Sequence, residues 1–108
     1  MCQRSTGAPV IAWVTFTMEA LTLLKGVTKK YRSSPKAVRE FCADCGSQLF
    51  FHYTEGPSEV DVSIASLDDP SSIQPTYHIW TSSHILWLTI ADDLPRYLDD
   101  GKDFSPYK

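Results

Sequence analysis

The chemistry of this chain is concentrated in Phe41-Cys42-Ala43-Asp44-Cys45-Gly46, where two cysteines three positions apart precede a glycine. Thiols at this spacing sit on one tight turn and can grip one side of a zinc ion, which in a structural site takes four ligands. The same spacing also fits a redox dithiol or two inert core thiols. A thioredoxin-like pair lies between a strand and a long helix. Here the strand-like run Gln48-Leu49-Phe50-Phe51-His52-Tyr53 follows directly, which favours a zinc knuckle. Gly46 suits that reading, since the turn that aims backbone N–H groups at the sulfurs commonly needs a residue tolerant of positive φ. The one other cysteine, Cys2, stands at the start of the chain, so the knuckle supplies half a ligand set without an obvious second half.

Other reactive side chains carry weaker signals. His52, His78 and His84 each lack a second ligand at short spacing and are expected to be surface or hydrogen-bonded residues, with a structural hydrogen bond the expected role of His78. Asp68 and Asp69, adjacent and before Pro70, read as a turn and helix cap and not as an acid/base pair. Lys25, Lys29, Lys30, Arg32, Lys36 and Arg39 fall in one stretch without an acid, whereas the chain from Glu55 onward is mostly acidic. Such a stretch attracts anions, but the alternation over Val27 to Arg32 also suits the wet face of a β-hairpin. Among the aromatics, Phe50 and Trp80 are expected in the core, while Trp13 and Trp87 could equally line a cleft.

The elements that position these residues are short and mainly β. Strands are expected over Val10 to Phe16, Leu21 to Leu24, Val27 to Arg32, Ala37 to Phe41, Gln48 to Tyr53, Glu59 to Ala65 and Tyr77 to Trp80, with turns at Lys25-Gly26 and Ser33-Ser34-Pro35. Val60, Val62 and Ile64 alternate with Asp61 and Ser63, the pattern of a half-buried strand. Met18-Glu19-Ala20 is expected to form one helical turn capped by Thr17, and Pro70 to open another capped by Asp69.

With 108 residues, 43% hydrophobic and 12% aromatic, the chain describes one folded domain with a modest core, and its net charge of −3 is mildly acidic. An acidic balance and the absence of a groove-reading helix argue against sequence-specific nucleic-acid binding. No apolar run approaches membrane-spanning length, and no leader pattern opens the chain. An odd number of cysteines without a leader fits a reducing, cytoplasmic setting.

Several motifs in one order carry a resemblance: Cys2-Gln3-Arg4-Ser5-Thr6-Gly7-Ala8-Pro9, Trp13, Tyr31-Arg32-Ser33-Ser34, the Cys42 to Gly46 knuckle, Ser66-Leu67-Asp68-Asp69-Pro70, His78-Ile79-Trp80 and Trp87. From Cys2 to about Tyr97 the chain resembles the glutathione-dependent formaldehyde-activating enzyme family, which shares its domain with centromere protein V. The resemblance implies a β-tent zinc-binding fold of short antiparallel strands and carbon-sulfur lyase chemistry on glutathione adducts. It further implies two zinc sites. Cys42 and Cys45 match the second half of the structural site, and Cys2 matches the last cysteine of the catalytic C-x-C-x-x-C.

In that family the other ligands come from cysteines that would precede Met1, so the resemblance implies a single domain over residues 1–98 that lacks its N-terminal strands, followed by a tail over 99–108. The expected function is a zinc-dependent carbon-sulfur lyase acting on the adduct of glutathione, or another small thiol, with an aldehyde or related electrophile. A non-catalytic zinc-binding interaction module is the alternative. Lys25, Lys29, Lys30 and Arg32 are candidates to attract glutathione carboxylates. A sheet edge left open by missing strands is expected to favour self-association.

Overall fold

The structure, a computed structural model, describes residues 1–56 and 58–100. Its centre is one antiparallel five-stranded sheet in the order β1-β5-β4-β3-β2, with β1 at Trp13–Thr17, β2 at Thr28–Ser34, β3 at Ala37–Cys42, β4 at Gln48–Tyr53 and β5 at Glu59–Ser63. Aromatic and β-branched residues make up all of β1 and half of β4, and such side chains pack well on a pleated surface. The mainly β expectation is met, and four of the five strands fall close to their expected positions.

The β2–β3 hairpin turns at Pro35-Lys36. There the Lys36 N–H donates to Ser34 Oγ at 3.3 Å and Arg32 donates to the Pro35 carbonyl at 2.9 Å. Ser33 and Ser34, expected in the turn, belong to β2 instead, because a register shift between Arg32 and Ser34 carries pairing one step further. Proline, which cannot donate to a ladder, then occupies the turn itself.

Three expected strands are corrected. Val10 to Ala12 precede β1, and Leu21 to Leu24 adopt no strand, since β1 already lies at the sheet's edge and no further strand pairs with that segment. Tyr77 to Trp80 contribute one parallel bridge, His78 to Arg96, because the segment runs beside the irregular chain 95–99 and not beside the sheet. Trp80, expected in the core, is 55% exposed and holds a left-handed backbone at φ 55°. The helical turns at Met18–Ala20 and Pro70–Ser72 are present as 3-10 turns, and neither Thr17 nor Asp69 makes a side-chain cap bond.

The apolar interior is thin: among the described residues Ala37, Val60, Val62 and Ile64 are the buried hydrophobic ones. Period-two alternation sends Val60 and Val62 to one face, where Phe16, Phe50, Val62 and Leu67 line an apolar cleft. The opposite face carries Trp13, Phe51 and Arg39, with Phe51 6.2 Å from Trp13 and the Arg39 guanidinium 4.9 Å above the Phe51 ring. Strands β1 and β2 are the sheet's edges, and β2 is lined by the exposed Lys29, Lys30 and Arg32, charges that discourage edge pairing.

No helix among the described residues is long and apolar enough to cross a membrane. Of the expected C-terminal tail, residues 101–108 lie outside the described residues, as does Pro57 of the Glu55–Ser58 breaker. The Asp99 carbonyl accepts the Trp80 N–H at 2.7 Å.

Candidate functional site

The sequence provides no helical signal at Cys2, yet residues Cys2–Thr6 form a short helix, α1. A helix of this length is not stable alone, and its ends are held locally and by contact. Gly7 closes it in a left-handed conformation, φ 69°, and donates to the Gln3 carbonyl at 2.8 Å. The Thr6 hydroxyl donates to the Cys2 carbonyl at 2.7 Å, and the Gln3 amide donates to the Ser83 carbonyl at 3.1 Å, tying α1 to the Thr81–Ser83 turn. The Gly-Ala-Pro that follows therefore ends the helix and leads the chain towards β1.

This helix delivers Cys2 to Arg39. Both terminal guanidinium nitrogens donate to Cys2 Sγ, at 3.6 and 3.5 Å, and Arg39 Nε donates to Ser33 Oγ at 3.2 Å. Arg39 is 2% exposed, one of the most deeply buried side chains of the protein. It is the exception among the six cations of the basic stretch: Lys25, Lys29, Lys30, Arg32 and Lys36 are exposed, as a wet hairpin face requires. Pairing across β2, β3 and β4 sets Tyr31, Arg39 and Phe51 in one row. No carboxylate among the described residues contacts the Arg39 guanidinium.

The knuckle lies at the far end of β3. Cys42 closes that strand, and Gly46, at φ 79°, reverses the chain into β4 with its N–H on the Cys42 carbonyl at 2.9 Å. The Cys42 N–H donates to the Ser47 carbonyl at 2.9 Å. Cys45 is exposed, with Sγ 3.1 Å from Ser47 Oγ. Hydrogen bonding by the Ser47 hydroxyl, then by the Ser47 backbone and the Cys42 thiol, lowers the Cys45 pKa below the ordinary thiol value. Cys45 is therefore expected to be the fastest of the three thiols to react with iodoacetamide at neutral pH. Ser47→Ala should raise its pKa and slow it, and mass-spectrometric rates that do not change would contradict this assignment.

Two thiols on one turn fit half of a tetrahedral sulfur site. Among the described residues no third histidine, cysteine or carboxylate joins them, and Cys2 lies with Arg39 and not with the knuckle. The two predicted metal positions are thus separate in space, and neither is completed by the described residues.

The histidines have other partners. His52 Nε2 meets Glu40 Oε2 at 2.9 Å, on a carboxylate whose other oxygen accepts from Thr28 at 2.7 Å. His78 Nε2 lies 2.9 Å from Asp92, which also binds Arg96 at 3.1 Å, and His84 Nδ1 lies 2.6 Å from the Thr81 carbonyl. The hydrogen bond to His78, aided by the Leu94 N–H and the charges of His78 and Arg96, holds the Asp92 carboxyl below its usual range. His78 thus has the structural hydrogen bond expected of it.

Asp68 and Asp69 lie exposed around the Pro70–Ser72 turn, where Asp69 offers its carbonyl to the Ser72 N–H at 3.1 Å. That is a turn, as expected. Sequence reasoning missed the burial of Arg39 and the place of Gln48 beside it. Only the odd position of Arg39 in the β3 alternation, between buried Ala37 and half-buried Phe41, could have signalled it.

A search of curated proteins found no match to this chain. The model of the family described as glutathione-dependent formaldehyde-activating enzyme matches residues 1–83, which hold Cys2, Arg39 and the knuckle. That family is generally associated with zinc. Spanning more than three quarters of the sequence, this match places the chain in the glutathione-dependent formaldehyde-activating enzyme family.

Proposed function

We propose that this protein acts in zinc-dependent carbon-sulfur lyase chemistry on the adduct of glutathione, or a closely related thiol, with formaldehyde or another small aldehyde. The family match across Cys2 and the knuckle carries this reading. In the forward direction the thiol sulfur bonds to the aldehyde carbon and the thiol proton ends on the former carbonyl oxygen. The lyase direction breaks the same bond and returns that proton to sulfur.

Cys2 would be this chain's ligand to a catalytic zinc, and Cys42 and Cys45 its ligands to a structural one. When bound, the catalytic ion supplies Lewis acidity and favours thiolate. The chain's own residues do the positioning. Helix α1 fixes Cys2 above the sheet, and Arg39 brings positive charge to Cys2 in a site walled by protein, where electrostatic attraction for an anionic thiol ligand is stronger than in water. The Phe51 ring packs against the Arg39 guanidinium, with Trp13 beyond it, and holds that guanidinium in place.

The test is exchange of ¹³C-formaldehyde with glutathione, followed by NMR in the presence of zinc, on a form extended upstream through the reading frame so that the ligand set around Cys2 can be completed. Turnover above the uncatalysed rate is expected, with Cys2→Ser lowering it about a hundredfold, the scale on which misplaced reacting groups lose rate. A rate equal to the uncatalysed one would sink the lyase reading in favour of a non-catalytic zinc-binding module.

A further inference from the structure

Ser5 of α1, Tyr31 of β2, Arg39 and Phe41 of β3 and Gln48 of β4 line a cleft of about 180 Å³ that adjoins Cys2 through Arg39. Gln48 reaches this position because the β3–β4 register shifts between Glu40 and Phe41, which sets Gln48 opposite Phe41. Two polar groups of the cleft have capacity left over. Gln48 Oε1 is buried and accepts no hydrogen bond among the described residues. A guanidinium carries five N–H donors, and Arg39 directs three of them to Ser33 and Cys2. A buried cation without a carboxylate, next to a buried acceptor without a donor, calls for a ligand that is anionic on one atom and an N–H donor close by.

Inorganic anions and simple carboxylates satisfy Arg39 and leave Gln48 Oε1 unpaired. A peptide C-terminus satisfies both, and its planar amide suits a wall made by the Tyr31 and Phe41 rings. At about 30 Å³ per water in the liquid, the cleft has room for a fragment and not for a whole tripeptide. Glutathione ends in such a fragment, an acylated glycine.

We propose that this cleft binds the acylglycine end of the thiol substrate, a proposal that rests on the glutathione reading above. The carboxylate accepts from Arg39, the glycine N–H donates to Gln48 Oε1, and the substrate sulfur extends towards Cys2. Tyr31, Arg39 and Gln48 are then the residues that choose among thiols, in place of the exposed lysines. Lys25, Lys30 and Arg32 do not line this cleft, and Lys29 pairs with Phe41 in the ladder without lining it.

The test uses a probe with neither thiol nor aldehyde: the full chain is titrated with N-acetylglycine and observed by ¹H-¹⁵N NMR, with acetate as the control lacking an N–H. Saturable shifts at Tyr31, Arg39 and Gln48 are expected, with acetate binding about tenfold more weakly, the value of one hydrogen bond to an otherwise orphaned acceptor. Gln48→Leu should reduce N-acetylglycine to the affinity of acetate. Should that variant fail to fold, Tyr31→Ala, at a side chain 61% exposed, should weaken N-acetylglycine severalfold. Equal affinities for the two probes, shifts that do not saturate, or binding unchanged in the variants would overturn the subsite. Binding of the probe without formaldehyde turnover would refute the lyase reading and leave the subsite standing. Turnover without probe binding would refute the subsite alone.

Discussion

Arg39→Ala should cost about 3 kcal/mol of folding stability in urea unfolding, the largest effect expected of any single cation in this chain. The side chain is 2% exposed and its contacts come from three elements: Ser33 on β2, Phe51 on β4 and Cys2 on α1. Truncation leaves a cavity beneath α1, removes a stacked cation from the Phe51 ring and leaves Ser33 and Cys2 without their donor. Because only four hydrophobic residues among the described ones are buried, little remains to absorb the loss. Arg39→Lys keeps the charge but not the planar fork or the stacking, so it should recover less than half of the difference. If Arg39→Ala fell within about 0.5 kcal/mol of wild type, as exposed substitutions do, the guanidinium would not be the pin that holds α1 to the sheet.

The second large effect concerns the knuckle. As the proposed structural ion of the native turn, zinc added at about a hundredfold over its dissociation constant should stabilise the fold by roughly 2.7 kcal/mol. For a domain of this size that corresponds to a rise in Tm of about 10 to 20 °C. The Cys42→Ser, Cys45→Ser double variant should lose both the bound zinc, measured by mass spectrometry of the metal, and the rise in Tm.

A pH dependence follows with a definite sign. Zinc needs thiolate, and Cys45 has its folded pKa lowered, chiefly by the Ser47 hydroxyl. Its thiolate is therefore favoured above the ordinary thiol pKa and persists below it, and its contribution is lost as the pH falls through the lowered value. Zinc affinity should decline with acid through that window, and Ser47→Ala should move the decline to higher pH. A Tm rise that survives the double cysteine substitution would place the metal elsewhere.

The knuckle was legible in sequence because its geometry is local. Two cysteines, a glycine able to take φ 79° and a strand-like run directly after them specify a turn within a few residues, and the structure has that turn. Strand β5, with its clear alternation, and β4, rich in aromatic residues, are legible for the same reason. Leu21 to Leu24 and Tyr77 to Trp80 look equally apolar but are not strands: no strand of the sheet pairs with Leu21 to Leu24, and Tyr77 to Trp80 pair with the 95–99 chain through a single bridge, His78 to Arg96. Trp80 is expected inside as an aromatic residue of an expected strand. It is exposed because its segment runs along the 95–99 chain, away from the sheet's buried face.

What the sequence determines by itself is therefore the reactive residue types, the knuckle, the mainly β character and the ordered motifs that belong to this family. What the tertiary structure decides is which of those residues meet. Cys2 and Arg39 are 37 positions apart, and nothing in their local spacing brings them together. Their contact depends on α1 folding over the sheet and on the pairing that turns Arg39 inward while its five cationic neighbours stay in water. Gln48 joins them through a one-residue shift in register, a detail of how two strands fit that no composition or periodicity contains.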